Sequence, residues 1–161
     1  MEYQKRYDVS MLKKRLSQYK ELEREIECEQ ERLDNIETKM YTIGSPELSD
    51  MPRATTVIGD RIGGLVARKE ELSGTLNSLI QQQKEERLWI EGILRNLKKA
   101  DERAVIRMRY IDFESWDRVA YMLFGSCEDY PSKMESYVRR TTRLNGTALV
   151  NMVNYLNGGS E

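Results

Sequence analysis

Lys133, Ser136, Arg140 and Arg143 recur at three- and four-residue intervals, the spacing that places side chains on one face of a helix. With Arg139 included, four cations against the single carboxylate Glu135 give the segment from 133 to 143 a charge of +3. Cations on such a face can neutralise phosphates, and arginine or serine can hydrogen-bond base edges in the major groove. A run of arginines also suits a merely solvated helix. What decides between the two is whether this segment is the last of three short helices.

The remaining reactive residues do not converge. The chain has no histidine, which excludes Ser–His and Cys–His nucleophile pairs, HExxH zinc sites and histidine proton relays. Cys28 and Cys127 are far apart in the chain, so they form no CxxC pair. Gly59-Asp-Arg-Ile-Gly-Gly64 lacks the Lys-Ser/Thr of a phosphate loop and follows no strand. Asp112, Glu114 and Asp117 are better explained by capping and the helix dipole than by a metal. The expectation is a protein that is not an enzyme and has no metal and no cofactor.

Three helices must position the basic face. Asp101 can cap the first, which runs through Val105 and Met108 towards Tyr110 before a turn at Ile111-Asp-Phe113. Ser115 is a natural N-cap for the second, in which Trp116, Val119, Ala120 and Leu123 fall at i, i+3, i+4 and i+7. Gly125 can end it. A polar stretch with Pro131 leads to the third helix, from near Ser132 to Leu144 or beyond, whose inward face is expected to be Met134, Val138, Thr142, Asn145 and Leu149. The Gly125–Ser132 stretch exceeds the short turn of a standard helix-turn-helix.

Upstream, Leu12, Tyr19, Ile26, Leu33 and Met40 repeat every seven residues, with Leu16, Leu22 and Ile36 beside them. After a Pro- and Gly-containing loop at about 42–54, Ile58, Leu65, Leu72, Leu79 and Ile93 resume the period, alternating with Ile62, Leu76, Ile90 and Leu97. Two such stripes joined by a short loop form an antiparallel helical hairpin. Trp89 reads as a core or interface residue, and Tyr3 and Tyr7 fit the base of the hairpin. Val66, Ile80 and Leu94 form a second row that a two-helix hairpin leaves uncovered, so either the C-terminal head or a second chain must cover it. The fold class is therefore all-α: a long antiparallel coiled-coil hairpin at 1–98, then a small three-helix helix-turn-helix domain at 99–161 with a flexible C-terminal tail.

Cations and acids nearly balance, 26 against 27, so attraction to DNA must be local. Met1-Glu-Tyr-Gln-Lys-Arg-Tyr7 lacks the apolar run of a signal peptide, and no stretch is long and apolar enough to span a membrane. Two cysteines suit a reducing cytosol. The expectation is a cytoplasmic protein with no membrane partner.

Arg107-Met-Arg-Tyr-Ile-Asp-Phe-Glu-Ser-Trp-Asp-Arg-Val-Ala-Tyr-Met-Leu123 resembles the "RY…SW..VA..L" signature of ArpU and RinA type phage regulators. These control late transcription in phages of Gram-positive bacteria, with a head similar to region 4 of sigma-70 factors. Glu135-Ser-Tyr-Val-Arg-Arg140 resembles the start of their recognition helix, and the specific likeness covers about residues 101–149. The resemblance implies a phage or prophage late-gene regulator in a bacterial host cell. Its scaffold-helix core would be Trp116, Val119 and Ala120, beside which the helical pattern adds Leu123 and Val138. Its DNA contacts would be Ser136, Tyr137, Arg139, Arg140 and Arg143, to which the basic face adds Lys133. Partners would be double-stranded DNA, host RNA polymerase beside the promoter, and a second copy through the hairpin. The alternatives are a small terminase-like DNA-packaging subunit and a coiled-coil interaction adaptor without DNA binding.

Overall fold

The computed structural model describes residues 6–44 and 55–158; Tyr3, residues 45–54 of the expected loop and residues 159–161 of the expected tail lie outside the described residues. The described residues are all-α: α1 (Val9–Gly44), α2 (Thr55–Leu94), α3 (Ala100–Ile106), α4 (Trp116–Phe124) and α5 (Met134–Leu156). A π-helical turn, Arg107–Ile111, extends α3, and a 3-10 turn, Tyr130–Ser132, precedes α5. The loop begins later than its expected start at 42, because Thr42, Ile43 and Gly44 are still helical. The Thr42 hydroxyl donates to the Thr38 carbonyl at 2.9 Å inside that last turn.

The chain divides into two compact units, Met1–Glu21 with Glu85–Glu161, and Leu22–Lys84. In the second unit α1 and α2 run antiparallel: Glu23 accepts from Gln83 and Glu37 pairs with Lys69 at 2.8 Å, so the partner number falls as the α1 number rises. Ile36, Leu72, Leu76 and Leu79 are buried along this seam, while Ile26, Leu33, Met40, Ile62 and Leu65 are half-buried.

In the first unit the hairpin base and the three C-terminal helices share one core. Leu12, Leu16 and Tyr19 of α1 and Ile90, Ile93 and Leu94 of α2 join Val105, Ile106, Val119, Leu149 and Met152 in a single cluster. Residue 98 marks the end of the heptads, whereas the compact units divide at 21/22 and 84/85. Truncating a core leucine such as Leu12 costs about 2–5 kcal/mol. Of the second row on α2, Leu94 is covered by this core and Val66 stays exposed.

Polar ties fix the base. Arg15 forms a bidentate pair with Glu86 at 2.9 and 3.0 Å, bonds the Tyr7 hydroxyl at 3.2 Å and stacks on Trp89 with Cζ 3.5 Å from the ring centroid. Tyr7 and Trp89 pack on the core as the sequence suggests. The Tyr7 N–H donates to Asn157 Oδ1 at 2.8 Å and the Asn157 amide donates back to the Tyr7 carbonyl at 2.9 Å.

Those last bonds hold the chain in place beyond residue 150. α5 continues to Leu156 because Ala148, Leu149, Met152 and Val153 extend its apolar stripe into the core. The inward face is also rotated: Thr141 is buried, whereas Thr142 and Met134 are exposed. Thr141 tolerates burial because its hydroxyl donates to the Tyr137 carbonyl at 2.9 Å. Lys99, not Asp101, is the α3 N-cap, with Asp101 in the first turn.

Candidate nucleic-acid interface

The approach to α4 is a tightly specified turn. Asp112 N–H reaches back to the Arg107 carbonyl at 3.0 Å and Glu114 N–H to the Met108 carbonyl at 2.9 Å, a helix closure widened by the π turn. It leaves Phe113 in the left-handed region, φ 57°, a cost offset by stacking on Tyr19 at 5.9 Å between ring centroids. Arg109 clamps the same turn, donating to the Glu114 carbonyl at 2.8 Å and lying over Trp116 at 4.7 Å.

Ser115 then caps α4, its Oγ accepting the Arg118 N–H at 3.3 Å. Val119 and Ala120 are fully buried, and Trp116, Leu123 and Val138 are half-buried. α5 packs against both α3 and α4. Its orientation is also fixed by Asn145, which donates to the Tyr110 hydroxyl at 3.3 Å, and by Asn151, which donates to the buried Glu102 carboxylate at 3.0 Å.

Between α4 and α5 the chain is organised around Asp129. Its carboxylate accepts the Tyr137 hydroxyl at 2.6 Å and the Lys133 ammonium at 2.9 Å. Its carbonyl accepts the Ser132 hydroxyl at 2.9 Å and the Lys133 N–H at 3.1 Å. The Tyr137 hydroxyl and the Lys133 ammonium hold the Asp129 carboxyl below the usual range. The same bond to Asp129, aided by burial and by Cys127, pushes the Tyr137 phenol well above its ordinary value. Residue types alone hide Asp129; the signal available was an acid four residues before Lys133 with Pro131 between them.

An aromatic series runs through this turn. Tyr121 meets Tyr130 edge-on at 5.9 Å, Tyr130 stacks on Tyr137 at 5.4 Å and Tyr137 on Phe124 at 5.3 Å. Arg140 closes it, with Cζ 4.7 Å from the Phe124 ring centroid. Tyr130 is buried, so the series is anchored in the protein.

Lys133, at the N-cap of α5, and Ser136, Arg139, Arg140 and Arg143 on the helix are all exposed. They are not electrostatically equal. Lys133 is paired with Asp129 and Arg139 with Glu135 at 3.6 Å, and with Glu128 and Asp129 counted the balance over 128–143 falls to +1, four cations against three acids. Among the described residues no salt bridge engages Arg140 or Arg143. Tyr137 stands apart from the other five: it is half-buried and its hydroxyl belongs to Asp129.

A cleft of about 870 Å³ in the same unit is lined by Arg6, Lys98, Lys99, Asn151, Asn154 and Glu102 among others. Among the described residues its one carboxylate, Glu102, is 1% exposed and is engaged by Asn151 and Lys99. Among the described residues its lining does not bring together an acid, a base and a nucleophile. No group of three or more His, Cys, Asp or Glu side chains suited to a metal converges among the described residues, and no helix there is long and apolar enough to cross a membrane. No family model, curated protein or solved structure matches the chain.

Proposed function

We propose that this chain is a sequence-specific, non-enzymatic DNA-binding regulator of transcription that lays the free face of α5 in the major groove. The observation that carries the reading is the pair Arg140 and Arg143, exposed and, among the described residues, without salt bridges, on a helix whose other face is locked into a core with α3 and α4. Charge distribution supports it. The unit containing α5 has 18 cations and 15 acids, +3, whereas Leu22–Lys84 has 8 and 12, −4. Phosphate attraction is therefore confined to the unit that holds α5.

The residues from Arg107 to Leu123 that resemble the ArpU and RinA type regulators supply the biological setting: control of phage or prophage late genes in the cytoplasm of a bacterial host, beside RNA polymerase. The protein acts as a homodimer through the hairpin, which matches two half-sites on DNA. The test is a gel-shift titration against fragments of the protein's own genomic neighbourhood, at two salt concentrations with nonspecific competitor. Competitor-resistant retention of one fragment is expected; weak binding to every fragment that vanishes with salt would refute specific recognition.

A second reading, a coiled-coil adaptor, is favoured by one observation: Val66 and Leu88 of α2 are 38% and 69% exposed. It predicts no retention of any fragment and recovery of a protein partner that requires those two residues.

A further inference from the structure

We propose that Arg140 reads a guanine edge and that Phe124 is the positioning residue that fixes its guanidinium for this task. The inference rests on the DNA-binding reading above and goes beyond it by separating one base-reading cation from those that touch phosphate.

An arginine discriminates between bases only when its guanidinium is held in one orientation. Guanine presents O6 and N7 as paired acceptors in the major groove, and a guanidinium satisfies both with two parallel N–H donors. A freely rotating arginine gives up rotamer entropy to reach that geometry. Stacking one face of the guanidinium on an aromatic ring removes much of this freedom and leaves the in-plane donors pointing outward.

Of the cations on the basic face, only Arg140 has such a support among the described residues, its Cζ lying 4.7 Å from the Phe124 ring centroid. Phe124 is itself held, because its ring packs on Tyr137 at 5.3 Å and Tyr137 is fixed by Tyr130 at 5.4 Å and by Asp129 at 2.6 Å. The support is therefore continuous from a buried ring to an exposed guanidinium. Lys133 and Arg139 already have carboxylate partners, and Arg143 has neither a carboxylate nor a ring among the described residues. Arg143 is placed to act as a point charge on phosphate, where orientation matters little. The unusual length of the connection between α4 and α5 gains a purpose: it carries Tyr130 and Asp129, which brace Tyr137 behind Phe124.

The experiment is in vitro selection of duplexes from a random pool by the full chain and by Arg140→Ala, Phe124→Leu and Phe124→Tyr, with thermal melting as the folding control. The wild-type protein should enrich a motif containing an invariant G·C pair. Arg140→Ala should lose the preference at that pair alone. Phe124→Leu should weaken it by about two- to fivefold, the size of an exposed cation–π contact, with nonspecific affinity and salt slope unchanged, and Phe124→Tyr should restore it. If Phe124→Leu melts early, Phe124→Met replaces it as the variant that removes the ring, and Arg140→Lys, which keeps the charge but loses the stacked planar fork, should weaken the guanine preference likewise. Undiminished discrimination by folded Phe124→Leu, or uniform weakening across sequences by Arg140→Ala, overturns the proposal while leaving DNA binding intact. A wild-type protein that enriches no motif overturns DNA recognition itself.

Discussion

The Asp129 carboxylate accepts the Tyr137 hydroxyl at 2.6 Å and the Lys133 ammonium at 2.9 Å; both bonds weaken if Asp129 is protonated, and the Tyr137 bond is lost if Tyr137 ionises. The two groups shift in opposite directions, so the brace has a pH window. Asp129 is held below its ordinary 3.8; its contribution is complete above that value and is lost as pH falls through the lower folded value. Tyr137 is raised above its ordinary 10.0; its contribution is complete below that value and is lost as pH climbs towards the folded one. Tyr137→Phe should therefore flatten the melting temperature profile at both extremes. Superimposable wild-type and variant profiles would show that the bond contributes nothing. At Gly125 an added Cβ would clash with the Tyr121 carbonyl oxygen, so Gly125→Ala should lower stability by about 1–3 kcal/mol in urea titration; an unchanged midpoint would contradict the tight approach.

At the level of elements, α4 was the most legible. Ser115 as its cap and Val119 with Ala120 as its buried stripe follow from spacing alone, and the structure bears them out. Ser115→Ala should cost about 1 kcal/mol by chemical denaturation, and no loss would mean the cap bond is idle. α5 was less legible. Thr141 and Thr142 are adjacent residues of one type, and which of them is buried depends on where α3 and α4 cross α5, which one helix's periodicity does not determine. The π turn and the left-handed Phe113 were invisible for a related reason: they depend on Tyr19, far away in the chain, giving Phe113 a ring to stack on. Between α3 and α5, Glu102 is buried with one oxygen accepting from Asn151 and the other lacking a hydrogen-bond partner in the protein. That oxygen lies 3.8 Å from the Lys99 ammonium, so Glu102→Gln keeps an acceptor for Asn151 but breaks the ion pair, and stability should fall in urea titration; an unchanged midpoint would show that the Lys99 pair contributes nothing.

For the whole molecule, the heptads announced a hairpin, and its antiparallel sense and buried seam are present as expected. Heptads say nothing about which half of a hairpin a head will absorb, and the sharing of Leu12, Leu16 and Leu94 with the C-terminal helices was not readable from them. The charge split of +3 and −4 between the two units was hidden for the same reason, since it appears only once the units are known. If the hairpin pairs two copies, the wild-type chain should sediment as a dimer and a Val66→Glu/Leu88→Glu variant as a monomer; a monomeric wild type would refute pairing.

The central claim, that the free face of α5 is the DNA surface, is tested most directly by following the arginine side-chain N–H resonances of the full chain while a short duplex is added at low salt. Arg140 and Arg143 should shift strongly, Arg139 less, and Arg24, Arg32 and Arg68 of the acidic unit not at all. Shifts confined to the hairpin arginines, or none anywhere, would contradict it.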